Sequence, residues 1–391
     1  MPSGEISFAN PDLLQPVRGD ALWAVIADYQ KANPNVKMVK VDPPYAQFTQ
    51  VIDTQFGAGG GPDIFTGDVG AVAKYFKSGL LVALDDVFPA GTLNSTADAG
   101  KVNGVLYGVP FQTVNYALIW NKSLIAKAGI ESPPKTFDEL LADAKQCKEK
   151  LGVIGFAGRS QMNEMDGWWT DFNAWVQGFG GAMAKDGKLT LNAPENIAAV
   201  TAFKQMYDSG AFSVGDDAST FRLKFGQGQV CFAIENSASA NIATTNTAGH
   251  LAPDNLGVSK TPFPTTGYAV IPQMLLVNKH SKNLDAVKAF LKWFYAKPQQ
   301  QRIAEIEAPA VLGTDTPPSA DYMTAHPWAA GYMDLPKTGT GKSNVVPGFE
   351  AQTPQIEKIF LTAFSKVLTE NASPTDALNA AQSQAQSEIG G

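Results

Sequence analysis

The sequence predicts an α/β protein with mainly parallel sheets flanked by helices, divided into two or more domains. Stretches typical of strands alternate with amphipathic helical stretches in the first part of the chain, the pattern of a parallel sheet covered by helices. Apolar residues make up 44% of the chain and charged residues 17%, which is enough apolar surface for large cores. The length of 391 residues exceeds the usual size of one domain.

The first elements are predicted from hydrophobic periodicity and from turn residues. Strands and helices alternate in the order Glu5–Ala9 (strand), Ala21–Tyr29 (helix), Val36–Val41 (strand), Tyr45–Phe56 (helix), Asp63–Phe65 (strand) and Ala71–Lys77 (helix). Ligands of such sheets bind outside the carboxyl ends of the strands. Here those ends are Asn10–Asp12, Pro43–Tyr45 and Thr66–Asp68.

Further elements follow along the chain. Val114–Trp120 is an apolar run, and Pro133–Leu140 begins a helix in which Thr136 and Glu139 have the spacing of a capping box. Three more amphipathic helices are predicted at Glu195–Asp208, Ala286–Ala296 and Pro374–Ser387. We find no internal repeat of about 20–50 residues, so a solenoid is excluded.

Cysteine and histidine usage gives little sign of a metal site. Cys147 and Cys231 are predicted to be packed thiols, with a single bridge left open, and the three histidines are scattered. No apolar run reaches the length of about 18 residues that a membrane helix needs. The first residues lack a signal-peptide pattern, so we expect either a cytosolic protein or one whose leader has been removed.

Several chemical functions find no support in the sequence. A net charge of −7 argues against a nucleic-acid surface. Gly341–Ser343 resembles the end of a phosphate-binding loop but lacks its first glycine, and no G-x-S-x-G elbow is present. Asp85-Asp86 and Asp216-Asp217 are interpreted as turns or caps. We therefore predict no catalytic residue, no cofactor and no metal.

One aromatic pair stands out. Trp168-Trp169 follows Met162–Gly167, which is predicted to be a polar loop. Indole faces pack on the C–H face of a sugar ring while neighbouring carboxylates and amides bind its hydroxyls. We expect at least one of the two rings to contact ligand, with a role in capping the core as the alternative.

A series of short motifs then resembles one family, the extracellular solute-binding proteins of ATP-driven importers, in the class of maltose-binding protein. Each motif alone is weak, but their order and spacing extend along nearly the whole chain. They are Gly61-Pro62-Asp63-Ile64-Phe65, Tyr75–Leu81, Gly104–Pro110, Trp120–Leu124, Pro133–Phe137, Phe225–Val230, Ala286–Phe294 with Pro298 and Gln301, and Ser373-Pro374 with Ala377-Leu378.

The resemblance implies the two-lobed fold of periplasmic binding proteins of type II, with a ligand cleft between two α/β lobes joined by hinges. The implied N-terminal lobe comprises residues 1–113 and 265–312, and the C-terminal lobe comprises 117–261 and 317–391. The hinge segments lie near 113–116, 262–266 and 313–318. Few residues at such crossings need to absorb a rotation.

The chain departs from the family pattern in two places. The family often has a Gly-Pro-Trp turn where this chain has Glu235–Ala238, and it has a Trp near the position of Gly67. A maltodextrin ligand is therefore disfavoured. The resemblance nevertheless implies a set of ligand-binding residues. They are Asn10, Asp12, Tyr45, Asp68, Gln112, Gly267 and Tyr268 in the first lobe, Trp168, Trp169, Glu235 and Asn236 in the second, and Glu307 and Trp328 near the third crossing.

We expect the substrate-binding component of an ABC sugar importer, which binds a mono- or oligosaccharide, or a polyol, and delivers it to the membrane permease. The scarcity of arginine in the predicted cleft loops disfavours phosphate, with Arg159 as the exception. An acidic sugar and a polar or cationic solute remain alternatives, and a carbohydrate-active enzyme is a third class. A monomer in the periplasm, or a cell-surface lipoprotein, is expected.

Overall fold

The structure, a computed structural model, describes residues 2–14, 18–43, 47–245, 249–307 and 309–390. Its strands are β1 Gly4–Ala9, β2 Val36–Val41, β3 Ile64–Gly67, β4 Lys101–Val102, β5 Val105–Leu106, β6 Gly108–Asn121, β7 Ile154–Ala157, β8 Ala184–Lys185, β9 Lys188–Leu189, β10 Val230–Asn236, β11 Leu256–Ser259, β12 Gly267–Val277 and β13 Thr340–Lys342.

Helices cover most of the other described residues. They are α1 Arg18–Ala32, α2 Phe48–Gly57, α3 Val69–Lys77, α4 Lys122–Ala128, α5 Phe137–Leu151, α6 Met165–Gly178, α7 Pro194–Asp208, α8 Ala218–Gly226, α9 Ser237–Thr245, α10 Leu284–Phe294, α11 Lys297–Ile306, α12 Ala320–Ala325, α13 Ala329–Met333, α14 Leu335–Thr338, α15 Thr353–Glu370 and α16 Pro374–Ile389. No helix in the described part of the chain is both long and apolar enough to cross a membrane.

The chain divides into two compact units, each assembled from separate stretches of sequence. Unit 1 comprises Met1–Thr113 and Ile271–Tyr322, and unit 2 comprises Val114–Val270 and Met323–Gly391. The expected crossings at 113, near 265 and near 312 lie within about ten residues of these divisions. The largest difference is at the third crossing, where the expected boundary at 312 compares with a division after Tyr322. Strand β12 continues through the division at residue 270.

Unit 1 is a mixed sheet covered by helices on both faces. Its strand order is β2-β1-β3-β12-β6, with β1 parallel to β2 and β3, and β12 antiparallel to β3. Side chains alternate between two cores, because successive residues of a strand point to opposite faces. Ile64 packs in the core with α1, α10 and α11, whereas its neighbour Phe65 packs in the core with α2 and α3.

Unit 2 contains a second mixed sheet and a large aromatic core. β10 is parallel to β7 and antiparallel to β6, and β11 also pairs with β6. Helices α6, α7 and α15 pack together through aromatic side chains, with Phe172 lying 4.5 Å from Phe364 between ring centroids. Rings in this geometry contribute about 0.5–1.5 kcal/mol beyond the area that they bury.

The cysteines are not the packed thiols that the sequence favoured. Cys147 on α5 and Cys231 on β10 form a disulfide that closes a sequence separation of 84 residues. Both side chains are fully buried, so each already lies in the core that surrounds the bridge. Sequence spacing alone gave no means of showing that the helix and the strand bring the two sulfurs together.

Candidate ligand-binding site

Unit 1 gathers four of the predicted residues into one polar cluster at the carboxyl end of β1. Asn10 and Asp12 lie in the short turn after β1, Gln112 lies on β6, and Glu307 follows α11. The Asn10 side-chain oxygen accepts a hydrogen bond from the Asp12 amide at 2.8 Å. The four side chains are 4% exposed or less.

Arg18, the first residue of α1, holds this cluster together. Its Nε donates to Glu307 Oε2 at 2.9 Å, and its Nη2 lies 3.2 Å from Asp12 Oδ2. With the Gln112 amide turned to satisfy both neighbours, its oxygen accepts from Arg18 at 3.0 Å and its nitrogen donates to Glu307 at 3.1 Å. One guanidinium therefore serves two buried carboxyl groups, an arrangement in which charge-assisted hydrogen bonds dominate.

Ionising both carboxyls beside a single guanidinium is energetically unfavourable in a buried site. Burial raises the pKa of Glu307 from its ordinary value of 4.5 to about 7, with Arg18 opposing the shift and Asp12 adding to it. Burial also raises the pKa of Asp12, and Arg18 opposes it. The cluster therefore takes up a proton readily near neutral pH.

Two buried atoms of this cluster lack a hydrogen-bond partner within the described residues. They are the donor Asn10 Nδ2 and Glu307 Oε1. An unpaired buried polar atom costs about 1–3 kcal/mol, so each such atom needs an explanation. A hydroxyl group, which can accept from one partner and donate to another, is suited to both.

Unit 1 also contains a pocket of about 320 Å³ beside this cluster. Its walls include Pro11, Thr66 and Gly67, so it lies at the carboxyl ends of β1 and β3, where the sequence predicted a ligand. Asp68 lines the pocket and at the same time caps α3, accepting the Ala71 amide at 2.7 Å. The predicted residue Tyr45 lies outside the described residues.

Unit 2 contains a second cluster of buried charges, in which the predicted Glu235 is central. Arg222 on α8 donates two hydrogen bonds to the Glu235 carboxylate, from Nε at 2.7 Å and from Nη2 at 3.0 Å. Arg159, after β7, donates to Asp171 on α6 at 2.5 Å and to Glu164 at 3.2 Å. The two parallel bonds between Arg222 and Glu235 fix both side chains in position.

Tyr116 on β6 completes the second cluster. Its hydroxyl donates to Asp171 at 2.8 Å. Burial, together with the repulsion of Glu235, raises the pKa of Asp171 to about 6 against the opposing pull of Arg159 and Arg222. Burial likewise raises the pKa of Tyr116 well above its usual value, so the hydroxyl stays a donor.

Asn236 and Trp328 adjoin this second cluster. The Asn236 side chain caps α9, accepting the Ser239 amide at 3.0 Å, and its amide nitrogen lies 3.4 Å from Glu235 Oε2. Trp328 packs edge-on against Tyr332, whose hydroxyl donates to the Glu235 carbonyl at 3.0 Å. The indole N–H of Trp328 is buried and has no partner among the described residues.

The prediction for Trp168 and Trp169 was wrong about their place in the fold. Both lie within α6 rather than in a loop, and they are 0% and 3% exposed. Trp168 packs on Phe364, Trp169 packs on Phe360, and the Trp169 N–H donates to the Asn344 carbonyl at 3.0 Å. The rings bury their faces in the core and leave none for a sugar, because the apolar side of α6 continues through them.

Gly267 and Tyr268 belong to unit 2, whereas the sequence assigned them to the first lobe. Residues at the start of β12 pair with β13, which is part of unit 2. A Cβ at Gly267 would lie 2.4 Å from the Gln177 carbonyl oxygen, so the position needs glycine for close backbone packing. Tyr268 is 6% exposed, and burial raises its pKa to about 12.

Sequence reasoning missed Arg18, Tyr116, Asp171 and Arg222. The scarcity of arginine could have pointed to Arg18 and Arg222. The chain has only four arginines, and three of them lie in these two clusters. They lie on or next to helices and strands, whereas the predicted ligand-binding residues were expected mainly in loops. Among the described residues no group of three or more His, Cys, Asp or Glu side chains could hold a metal ion.

A sequence profile of the family described as bacterial extracellular solute-binding protein matches residues 15–301. The chain belongs to this family. A putative binding protein from Brucella abortus is 24% identical over 335 residues, covering 82% of this chain and 79% of the relative. The diacetylchitobiose binding protein of Streptomyces coelicolor is 28% identical over 340 residues, covering 81% of this chain and 74% of the relative.

A solved structure extends the likeness to the fold. The cyclic α-maltosyl-1,6-maltose binding protein of Arthrobacter globiformis superposes with a TM-score of 0.84, at 22% identity and with 99% of each chain covered. This likeness confirms the α/β fold class that the family resemblance implied. Members of this family are extracellular solute-binding proteins, which is the coarse functional class of this chain.

Proposed function

We propose that this protein is the substrate-binding component of an ABC importer and that it binds a neutral mono- or oligosaccharide, or a related polyol. The observation that carries the proposal is the pairing of every arginine in the two clusters with a carboxylate. Arg18 is held by Asp12 and Glu307, Arg222 by Glu235, and Arg159 by Asp171 and Glu164. Such pairs offer oriented donors and acceptors without excess positive charge.

Hydroxyl groups suit this chemistry better than anions do. A carboxylate already fixed by an arginine still has lone pairs that can accept from a hydroxyl, and the bond gains strength from the charge. A phosphate or carboxylate ligand would need a free guanidinium fork. Arginines thus occur in both clusters, contrary to the sequence-based expectation, but their pairing supports the same choice of a neutral ligand.

Relatives support the carbohydrate class. The relative from Streptomyces coelicolor is named for diacetylchitobiose, and the structure from Arthrobacter globiformis is named for a cyclic maltose-derived sugar. A cationic solute is the second candidate, because carboxyls outnumber guanidiniums in both clusters. An acidic sugar is disfavoured for the same reason.

In this proposal one ligand is shared by the two units. Unit 1 would contribute Asn10, Asp12, Gln112, Asp68 and Glu307, and unit 2 would contribute Glu235, Asn236 and Trp328, with Tyr45 kept as a sequence-based prediction. A ligand favours a closed arrangement only as far as it binds that arrangement more tightly, so contacts with both units are needed. The bound form would be presented to the membrane permease.

The Cys147–Cys231 disulfide supports the proposed location outside the cytoplasm, because disulfides persist in oxidising compartments. We propose a periplasmic or cell-surface protein that acts as a monomer. We further propose that it binds without catalysing a reaction. The clustered carboxyls are engaged by arginines, whereas a glycosidase needs one carboxyl as a proton donor and another as base or nucleophile.

A thermal-shift screen over sugars, polyols, amines and sugar acids tests the proposal. A ligand that binds only the folded protein raises the melting temperature, and the increase grows with the logarithm of the ligand concentration above Kd. We expect neutral sugars to raise it, and the Glu307→Gln and Glu235→Gln variants to respond less. A shift with amines alone would replace the sugar by the cationic solute, and sustained product release from glycosides would contradict the absence of catalysis.

A further inference from the structure

The pocket in unit 1 differs in chemistry from the polar cluster beside it. It measures about 320 Å³ and lies between α2 and α3. Carbon atoms of Phe48, Ile52, Ala71, Tyr75 and Ile271 contribute to its wall. The volume is at the lower end of the range for small-molecule sites and corresponds to roughly ten water molecules at ~30 Å³ each.

The polar groups of the wall are largely engaged by the protein itself. Lys74 Nζ lies 2.5 Å from Asp53 Oδ2, and the Tyr75 hydroxyl donates to Asp53 Oδ1 at 2.7 Å. Asp68 caps α3, as described above. The side-chain amide of Gln273 lies 2.7 Å from that of Gln112. These contacts engage the Tyr75 hydroxyl, one Asp68 oxygen and the Lys74 ammonium, and most of the surface that the pocket offers to a ligand is apolar. A ligand hydroxyl facing that surface would not regain the hydrogen bonds that it made to water.

We infer that this pocket holds an apolar substituent of the ligand, so that the ligand is a saccharide bearing a deoxy carbon, an alkyl group or an aryl group. The inference rests on the proposed function and deepens it. The polar cluster recognises the hydroxyls of the sugar, and the pocket receives the part that has none. Each buried CH₂ or CH₃ is worth about 0.8 kcal/mol, which corresponds to about a fourfold lower Kd.

Matched sugar pairs measured by isothermal titration calorimetry test this inference. The pairs are L-fucose with L-galactose, L-rhamnose with L-mannose, and phenyl β-D-glucopyranoside with D-glucose. We expect the apolar member to bind at least about fourfold more tightly for one methyl group, and more than tenfold for the phenyl group. Equal affinities within the pairs would overturn the inference and leave the proposed function intact. No binding of any member, in these pairs and in the sugar screen, would overturn both.

A pocket-filling variant tests whether the preference for the apolar sugar arises in this pocket. Ala71→Leu places a larger side chain in the pocket, and we expect it to abolish the preference while the unsubstituted sugar keeps its affinity. Ala73→Leu, on the same helix but outside the pocket lining, is the matched control and should keep the preference. If both variants lose affinity for both members alike, the pocket is not the site of the substituent.

Methyl NMR on the unaltered protein gives a second measurement that does not depend on a variant folding. With isoleucine δ1 methyl groups labelled, the substituted sugar should shift the Ile52 and Ile271 signals more than its unsubstituted partner does. The methyl of Ile6, which lies in the other core of unit 1, is the internal reference. Equal shifts of Ile52 and Ile271 with both sugars would contradict the inference.

Discussion

Buried carboxylates in this protein depend on arginine partners that lie far away in sequence or on other elements. Glu235 is 2% exposed and its whole carboxylate is engaged by Arg222. Removing one partner of a buried pair leaves an uncompensated charge, which destabilises more than the pair itself stabilises. Residues of this kind therefore matter to the fold, and under the proposed function Glu235 also contacts the ligand.

We expect Glu235→Gln to lower the free energy of unfolding by about 3 kcal/mol, because Arg222 loses its forked partner. Urea denaturation of the purified variant measures this change. Glu5→Gln, which removes the exposed partner of Lys37, is the matched control and should cost less than about 1 kcal/mol. An equal effect of the two substitutions would contradict the assigned role of the buried pair.

A double replacement separates stability from ligand binding. Apolar residues of similar volume often replace a buried ion pair without loss of stability. We expect Arg222→Met combined with Glu235→Leu to recover most of the lost stability while ligand-induced thermal shifts remain weak. Recovery of both would mean that the pair supports the fold and does not contact the ligand.

Glu307 makes the stability of unit 1 depend on pH. Its pKa is raised to about 7 by burial, so the native state favours the protonated form while the unfolded chain ionises near 4.5. The resulting contribution to stability is fully present below pH 4.5 and is lost as the pH rises to about 7. We expect Glu307→Gln to remove this loss, so that the variant gains stability relative to the unaltered protein across that window.

Free energies of unfolding measured from pH 4 to 8 check this sign. Glu305→Gln, which changes an exposed carboxyl on α11, is the control and should follow the unaltered protein. If the free energy of unfolding of Glu307→Gln changed with pH in parallel with that of the unaltered protein, the Glu307 carboxyl would already be ionised in the native state.

The sequence and its family resemblance together predicted part of the candidate site. Asn10, Asp12, Gln112 and Glu307 do come together in unit 1, where the turn after β1, strand β6 and the end of α11 meet. Their partner Arg18 was not predicted, since the contact with Glu307 spans 289 positions. The assignment of Trp168 failed because a polar hexapeptide resembles a loop even where tertiary packing makes it the start of a helix.

At the scale of elements, local signals predicted the helices well. Thr136 caps α5 by accepting the Glu139 amide at 3.2 Å, and the predicted acidic pair at 216–217 does provide a cap, with Asp217 accepting the Thr220 amide at 2.7 Å. The end of β10 was predicted less well. Glu235 and Asn236 were expected in a loop but belong to the strand. They continue the strand through pairing with β6, a contact that no local pattern reveals.

The disulfide between α5 and β10 is the strongest single restraint between two elements of unit 2. Closing a loop of 84 residues stabilises by about 4.5 kcal/mol in the chain-entropy model. We expect Cys147→Ala combined with Cys231→Ala to lose stability of this order in chemical denaturation. Dithiothreitol should destabilise the unaltered protein and leave the double variant unchanged, and insensitivity of both would contradict a formed bridge.

At the scale of the whole molecule, each unit is completed by a segment from the other end of the chain. Ile271–Tyr322 returns to the unit formed by the first 113 residues, and α15 and α16 join the unit formed by the middle of the chain. Hydrophobic periodicity identifies the pieces but not this interleaving, because a buried strand carries no mark of its neighbours. The family resemblance supplied what periodicity could not.

The proposed sharing of one ligand by the two interleaved units predicts that both respond to it together. If side chains of both units contact the ligand, its binding free energy favours the arrangement in which both reach it. We expect the radius of gyration in small-angle X-ray scattering to fall when a sugar identified by thermal shift is added at a concentration well above its Kd. Glu235→Gln, at a sugar concentration that gives the same occupancy, should show a smaller decrease, because the contribution of unit 2 is weakened while that of unit 1 remains. An unchanged radius of gyration at full occupancy would mean that one unit binds the ligand alone, and the shared site would then have to be abandoned even if the sugar itself is correct.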